Sequence, residues 1–335
     1  MNILHIIVLL GAVISNQGYS NFTQQKPADY PYITITTTTY VDEIQTETVN
    51  TNMESACLVY DLSQKQLEEK GAAPYTSMYP LTCFSKKSGE FFYSALSQKG
   101  DQLYGIQSGI PTQLTTQLCA LNHMFQCNDK LFLSAKYLEH YCIEPVLFDL
   151  SSKQIKKLFP DVKDDRFTGC ATCDPAENLV YFSYYSNYEM RKQNLIFNDK
   201  RHTEEENVYP DAAPSNICAI DMETETVKQV YTTPDYIWGL AVSGKTLYYV
   251  GSKSGGSPVK DRICYKVDLE SGQKEALDTS VNISSDMAVW NDVLYCIGHK
   301  DEIRGVYAID LATENTTLIY TANERTYING LYLNY

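Results

Sequence analysis

The sequence has no apolar run long enough to cross a bilayer. Its longest, Ile3 to Ile14, is interrupted by His5 and falls short of the ~20 residues a spanning helix needs. Positive charge is also scarce: 27 Lys and Arg stand against 41 Asp and Glu, a formal net charge of −14. An acidic surface resists nucleic acid and anionic membranes and tolerates cations or basic partners. Catalytic signatures are missing too. There is no Ser-His-Asp order, phosphate loop, dinucleotide fingerprint or haem motif. The acidic stretch Asp161–Asp165 lacks the remaining ligands of an EF-hand loop. Cys170-Ala-Thr-Cys173 has no second Cys-x-x-Cys to complete a zinc site. Its place in an expected inner strand also denies it the helix N-terminus that lowers a redox thiol's pKa.

What is present begins with a leader. Residues 1–20 read as a secretory signal, with the apolar run followed by the small residues Gly18 and Ser20 before a cut at Asn21, although the first residues carry no Lys or Arg. Ten cysteines follow: Cys57, Cys83, Cys119, Cys127, Cys142, Cys170, Cys173, Cys218, Cys264 and Cys296. An even count behind a leader predicts structural disulfides, with short loops such as Cys119 to Cys127 among the candidates. Sequons at Asn21, Asn282 and Asn315 agree with a secreted, extracellular glycoprotein.

The 27 tyrosines favour strands, since a flat ring suits a half-buried pleated surface. One marker recurs: a strand ending in an apolar residue, then Asp, then another apolar residue. It stands at Asp61, Asp149, Asp221, Asp268 and Asp310, with Gln107 in a degenerate copy. The spacings are 46, 42, 72, 47 and 42 residues. A period of 40–50 residues with four strand-like segments per unit predicts an all-β, six-bladed β-propeller over residues 21–335. A strand-end carboxylate accepts backbone N–H groups of the following turn, so these acids are expected to shape turns rather than bind ions. The 72-residue gap contains a charged insertion at 189–215, expected as a surface excursion. The first unit lacks an opening strand, and a surplus one, YINGLYLNY at Tyr327–Tyr335, ends the chain. Pairing the two would close the ring and remove its open edges.

Here the sequence resembles secreted six-bladed β-propellers. Its LYYV and YCIG strands, with the strands that follow them, are similar to blades of low-density-lipoprotein-receptor-type propellers across nearly all of the mature chain. The Tyr-Trp-Thr-Asp signature of that family is absent, so its ligands do not carry over.

In a propeller the innermost strands enter from one face and line a central channel. Aligned on the repeat, the entering residues are Tyr79, Asn122 and His123, Thr168, Trp238, Ser285 and Asp286, and Asn329. The insertion falls on the same face. This layout resembles calcium-dependent lactonase-type propellers, which hold a metal with Glu, Asn and Asp at the channel mouth. The resemblance implies calcium on Asn122, Asp286 and Asn329, oxygen ligands that suit a hard cation; the Glu has no clear counterpart. His123 and Asp286 are the candidates for proton transfer, and hydrogen-bonded lining is the other reading of His123. Two function classes follow. One is an extracellular binding or matrix propeller that presents loops to a protein, glycan or mineral partner. The other is a secreted enzyme converting a small molecule at the channel mouth, either a calcium-assisted hydrolase or a cofactor-free oxidising enzyme. The missing catalytic constellation favours the first.

Overall fold

A computed structural model describes residues 30–40, 53–74, 77, 80–161, 164–200 and 210–335. The expected leader, Asn21 and Tyr79 lie outside them. The described strands form six four-stranded antiparallel sheets, the expected six-bladed propeller. In chain order, the inner strands of blades 2 to 6 are Thr82–Phe84, Leu118–Cys127, Arg166–Asp174, Tyr236–Ser243 and Asn282–Trp290. Blade 1 takes its inner strand from the other end of the chain: Thr326–Asn334 pairs antiparallel with Tyr32–Tyr40, Asn334 facing Tyr32 and Thr326 facing Thr39. The ring is closed as the surplus strand predicts.

Specific bonds fix that closure. Asn334 is fully buried, and its carbonyl oxygen accepts from Gln126 N–H at 2.8 Å and from Cys83 Sγ at 3.4 Å. Its amide donates to Thr34 Oγ1 at 2.9 Å, so one side chain joins blades 1, 2 and 3. The YITITTTTY strand beside it is buried over seven residues. Alternate threonines there find hydroxyl partners, Thr36 with Thr82 at 2.9 Å and Thr38 with Ser55 at 3.1 Å, which offsets the cost of burying them. The core lies between blades and toward the axis, where one cluster joins Phe125, Phe132, Phe182, Leu331 and Tyr332 from blades 3, 4 and 1.

On the exit face the Asp repeat does what its position suggests. In each of five blades the carboxylate ends the third strand and accepts the N–H groups two and three residues on, for example from Glu270 at 3.0 Å and Ser271 at 2.7 Å onto Asp268. The residue four on then donates to the Asp carbonyl and takes a positive φ, as Lys65, Lys153, Glu225, Gly272 and Glu314 do. These backbone donors hold Asp149, Asp221, Asp268 and Asp310 below the usual carboxylate range. Blade 2, with Gln107 in the slot, uses a tighter turn through Ser108 and Gly109, both at positive φ.

The thiols correct the sequence expectation. All ten cysteines are free, nine buried and Cys119 half-buried. Cys119 and Cys127 stand near opposite ends of one inner strand, roughly 26 Å apart at ~3.3 Å per residue, so the short-loop pair is impossible. Cys170 and Cys173 sit three apart on a strand and look to opposite sides, Cys170 Sγ to Ile237 O at 3.4 Å and Cys173 Sγ to Leu333 O at 3.2 Å. The thiols of Cys127 and Cys173, on neighbouring inner strands, do meet.

A helix, α1 (Asn187–Lys200), begins two residues before the expected insertion and runs into it. Its start is built locally: Ser186 Oγ accepts from Glu189 N–H at 3.1 Å and donates to Asp165 at 2.6 Å. Farther on, Ala212 and Ala213 are buried, and Ala212 N–H donates to Lys253 O at 2.7 Å. The insertion is therefore anchored at both ends. Among the described residues no helix is long and apolar enough to cross a membrane.

Candidate functional site at the channel mouth

Five of the six inner strands break register near the axis. Asn122, Trp238 and Asn329 are each an extra residue opposite the second strand, Gly169-Cys170 share one partner slot, and Ser284-Ser285-Asp286 form a wider bulge. A bulge bends its strand and re-aims side chains, which is why such irregularities gather at sites. The residue before each bulge is buried, Leu121, Thr168, Ile237, Ile283 and Ile328, whereas Asn122, Gly169, Trp238, Ser284 and Asn329 keep partial exposure. The sequence alignment thus reaches the bulges in blades 3, 5, 6 and 1. In blade 4 it reaches Thr168, one residue early, a buried side chain whose Oγ1 finds no partner.

The bulges pack closely on one another. A Cβ on Gly239 would stand 2.3 Å from Ser285 O, so only glycine fits where blade 5 meets blade 6. Asp286 accepts from Leu331 N–H at 3.4 Å and from the Tyr332 hydroxyl, both on the closing strand. Burial nevertheless raises its carboxyl to about 7. The His123 ring stands edge-on to Tyr332 with centroids 5.9 Å apart. Burial lowers His123 to about 4, and neither its Nδ1 nor Asn122 Oδ1 has a hydrogen-bond partner among the described residues. Asn329 donates to Thr38 Oγ1. Calcium takes six to eight oxygens. Asp286, Asn122 and Asn329 offer at most four oxygens, and the one carboxyl among them already accepts from Leu331 and Tyr332, so the set does not fit it.

Around the mouth on blades 4 and 5 runs a line of rings. Phe167 stacks on Tyr185 at 5.3 Å, Tyr185 meets Tyr236 at 6.0 Å, and Tyr236 meets Trp238 edge-on at 4.9 Å. Trp238 Nε1 donates to Ser252 Oγ at 2.8 Å, and the Arg262 guanidinium lies 3.4 Å over its ring. Arg262 and Tyr332 carried no sequence signal, because each meets its partner only through the fold. The same holds for a buried group farther out, where His140 Nδ1 faces Glu144, and Lys157 Nζ stands 3.1 Å from His140 Nε2. Burial lifts Glu144 to about 7 and lowers His140.

No protein family matches the sequence, and no curated protein does. Solved structures do. A chain of the nidogen/laminin complex aligns with 91% of this chain and 98% of its own length at a TM-score of 0.55 and 12% identity. TolB from Acinetobacter baumannii aligns with 90% of this chain at 0.54 and 13%, this chain spanning 66% of TolB. The chain shares their propeller fold. At such identities the likeness shows the fold alone, and the resemblance read from the strand patterns holds at that level.

Proposed function

We propose that this is a secreted, non-catalytic propeller that binds a protein partner through its entry face. The observation behind the reading is where apolar side chains are left exposed. Of the twelve exposed large hydrophobic residues among the described ones, only Tyr30, Ile110 and Leu318 lie off that face. The other nine include Leu138 and Tyr141 after the second strand of blade 3, Tyr188, Leu195 and Ile196 on α1, and Tyr327 at the start of the closing strand. Concentration of exposed apolar groups on one face is a mark of an interaction surface. Arg191 of α1 lies 4.5 Å over the Tyr141 ring, so helix and blade 3 loop form one continuous surface.

Other observations agree. Among the described residues no group orients the axial imidazole's Nδ1, the half of a catalytic dyad that fixes a base. One of the solved chains of like fold comes from a complex between proteins. The leader-like start supports secretion, and exposed Asn282 and Asn315 leave both sequons open to a glycan. The test is a photo-crosslinking pair. A crosslinking residue at Leu195, incubated with extracellular extract from the source organism, is expected to capture a discrete protein. The same residue at Ile110 on the exit face is not. Equal capture at both positions overturns the reading.

A further inference from the structure

We infer that Arg262 and Trp238 at the channel mouth form a binding site for a carboxylate. The protein supplies its own comparison. Arg166 lies 3.4 Å over the Phe159 ring, and its guanidinium edge is held by Asp164, with Nε 2.8 Å from both carboxylate oxygens. Arg262 repeats the first half of that arrangement, 3.4 Å over Trp238, without the second. Its Nε and Nη2 donate to Ser257 O at 3.3 Å and its Nη1 to Ser284 O. A guanidinium has five N–H donors, so two remain without an acceptor among the described residues. No carboxylate of the described residues lies within ion-pair distance of Arg262.

The position adds to this. Ser284 opens the wide bulge of blade 6 and Trp238 is the bulged residue of blade 5, so the half-buried Arg262 bridges the two strands that frame the mouth. A half-buried cation stacked on an indole, with no counter-ion among the described residues, is costly, and a planar carboxylate matches its fork. Burial lowers Arg262, whereas Asp164 raises Arg166. Tyr236, 4.9 Å from Trp238, offers a flat neighbour for the ligand's apolar part. The inference rests on the entry face being the binding face, and names one chemical group that face takes.

The chain has two tryptophans, so Trp290→Phe leaves Trp238 as the only indole and its fluorescence as the readout. In that background, phenylacetate is expected to quench saturably, and uncharged phenylacetamide to bind at least tenfold more weakly. Arg262→Gln is expected to weaken phenylacetate at least tenfold at an unchanged melting temperature, with Arg262→Lys between the two. Equal response to acid and amide overturns the site, and so does parental affinity in folded Arg262→Gln. Should that variant unfold, the acid–amide comparison decides alone. A short peptide ending in a free phenylalanine carboxylate that binds tenfold tighter than phenylacetate, while its amidated form does not, assigns the carboxylate to a partner's chain end. Equal affinity of peptide and phenylacetate assigns it to a small free acid. Loss of all carboxylate response with crosslinking at Leu195 intact removes the Arg262 site and leaves the wider reading standing.

Discussion

On the exit face, five blades hand their third strand to their fourth through the same turn, an Asp accepting two backbone N–H groups before a residue at positive φ. On the entry face the connections diverge. One carries a capped helix, one a loop that lays Arg262 on Trp238, and the inner strands below them are bulged in five blades. The exit turns are solved locally, each within five residues, and so can be repeated. The entry bulges are solved between blades, where Ser285 O needs Gly239 opposite and Asp286 needs Leu331 and Tyr332. Repetition marks what each blade settles within itself, and departure from it marks where the blades meet one another.

The comparison breaks first if closure is dispensable. Deleting Tyr327–Tyr335 removes buried Ile328, Leu331, Tyr332 and Leu333. At ~1.5–3 kcal/mol each, that loss is on the order of a whole domain's stability. No folded protein is expected, as judged by circular dichroism and expression; a native melting curve would contradict closure.

Next, the two faces differ in what a single substitution costs. Gly239→Ala pushes a methyl into Ser285 O and is expected to destabilise by ~2–3 kcal/mol. Asp61→Ala on the exit face loses hydrogen bonds from Ser63 and Gln64 and the Lys86 contact at 2.7 Å, a loss of about 1–2 kcal/mol. Denaturant midpoints should rank them in that order.

A pH profile sharpens the account of the axis. With its carboxyl raised to about 7 from 3.8, folded Asp286 keeps a proton that the unfolded chain has released between roughly pH 4 and 7. The folded state binds more protons there, so stability falls as pH rises through that window. Asp286→Asn should be more stable than the parent at pH 8, by on the order of 1–3 kcal/mol, and unchanged at pH 4. His123, lowered to about 4 from 6.5, acts oppositely, and stability rises with pH across that interval.

These differences also explain what was legible in the sequence. Asp61 through Asp310 could be read because an Asp and the amides it binds are two and three residues apart. The surplus strand could be read because blade 1 visibly lacked one. Asn122, Trp238, Asp286 and Asn329 were reached by counting along the repeat, yet Thr168 came one residue early, since a bulge is a property of two strands and leaves no spacing in one. Arg262 over Trp238 and Tyr332 on Asp286 join residues 24 and 46 apart through the ring. The cysteines misled for a related reason. An even count says nothing of direction, and strand geometry sends Cys170 and Cys173 to opposite sides.

The smallest effect on stability carries the largest on function. Tyr188→Ser with Leu195→Asp on α1 should leave the melting temperature within the shift of ~0.5 kcal/mol, as should Ile110→Ser with Leu318→Ser off that face. The decisive measurement is the affinity of these two folded double variants for the protein captured by the Leu195 crosslink. Loss of at least tenfold in the α1 pair, with parental affinity in the other, is the predicted result. Equal affinity in both, or loss in the Ile110 and Leu318 pair alone, would contradict the assignment of binding to the entry face.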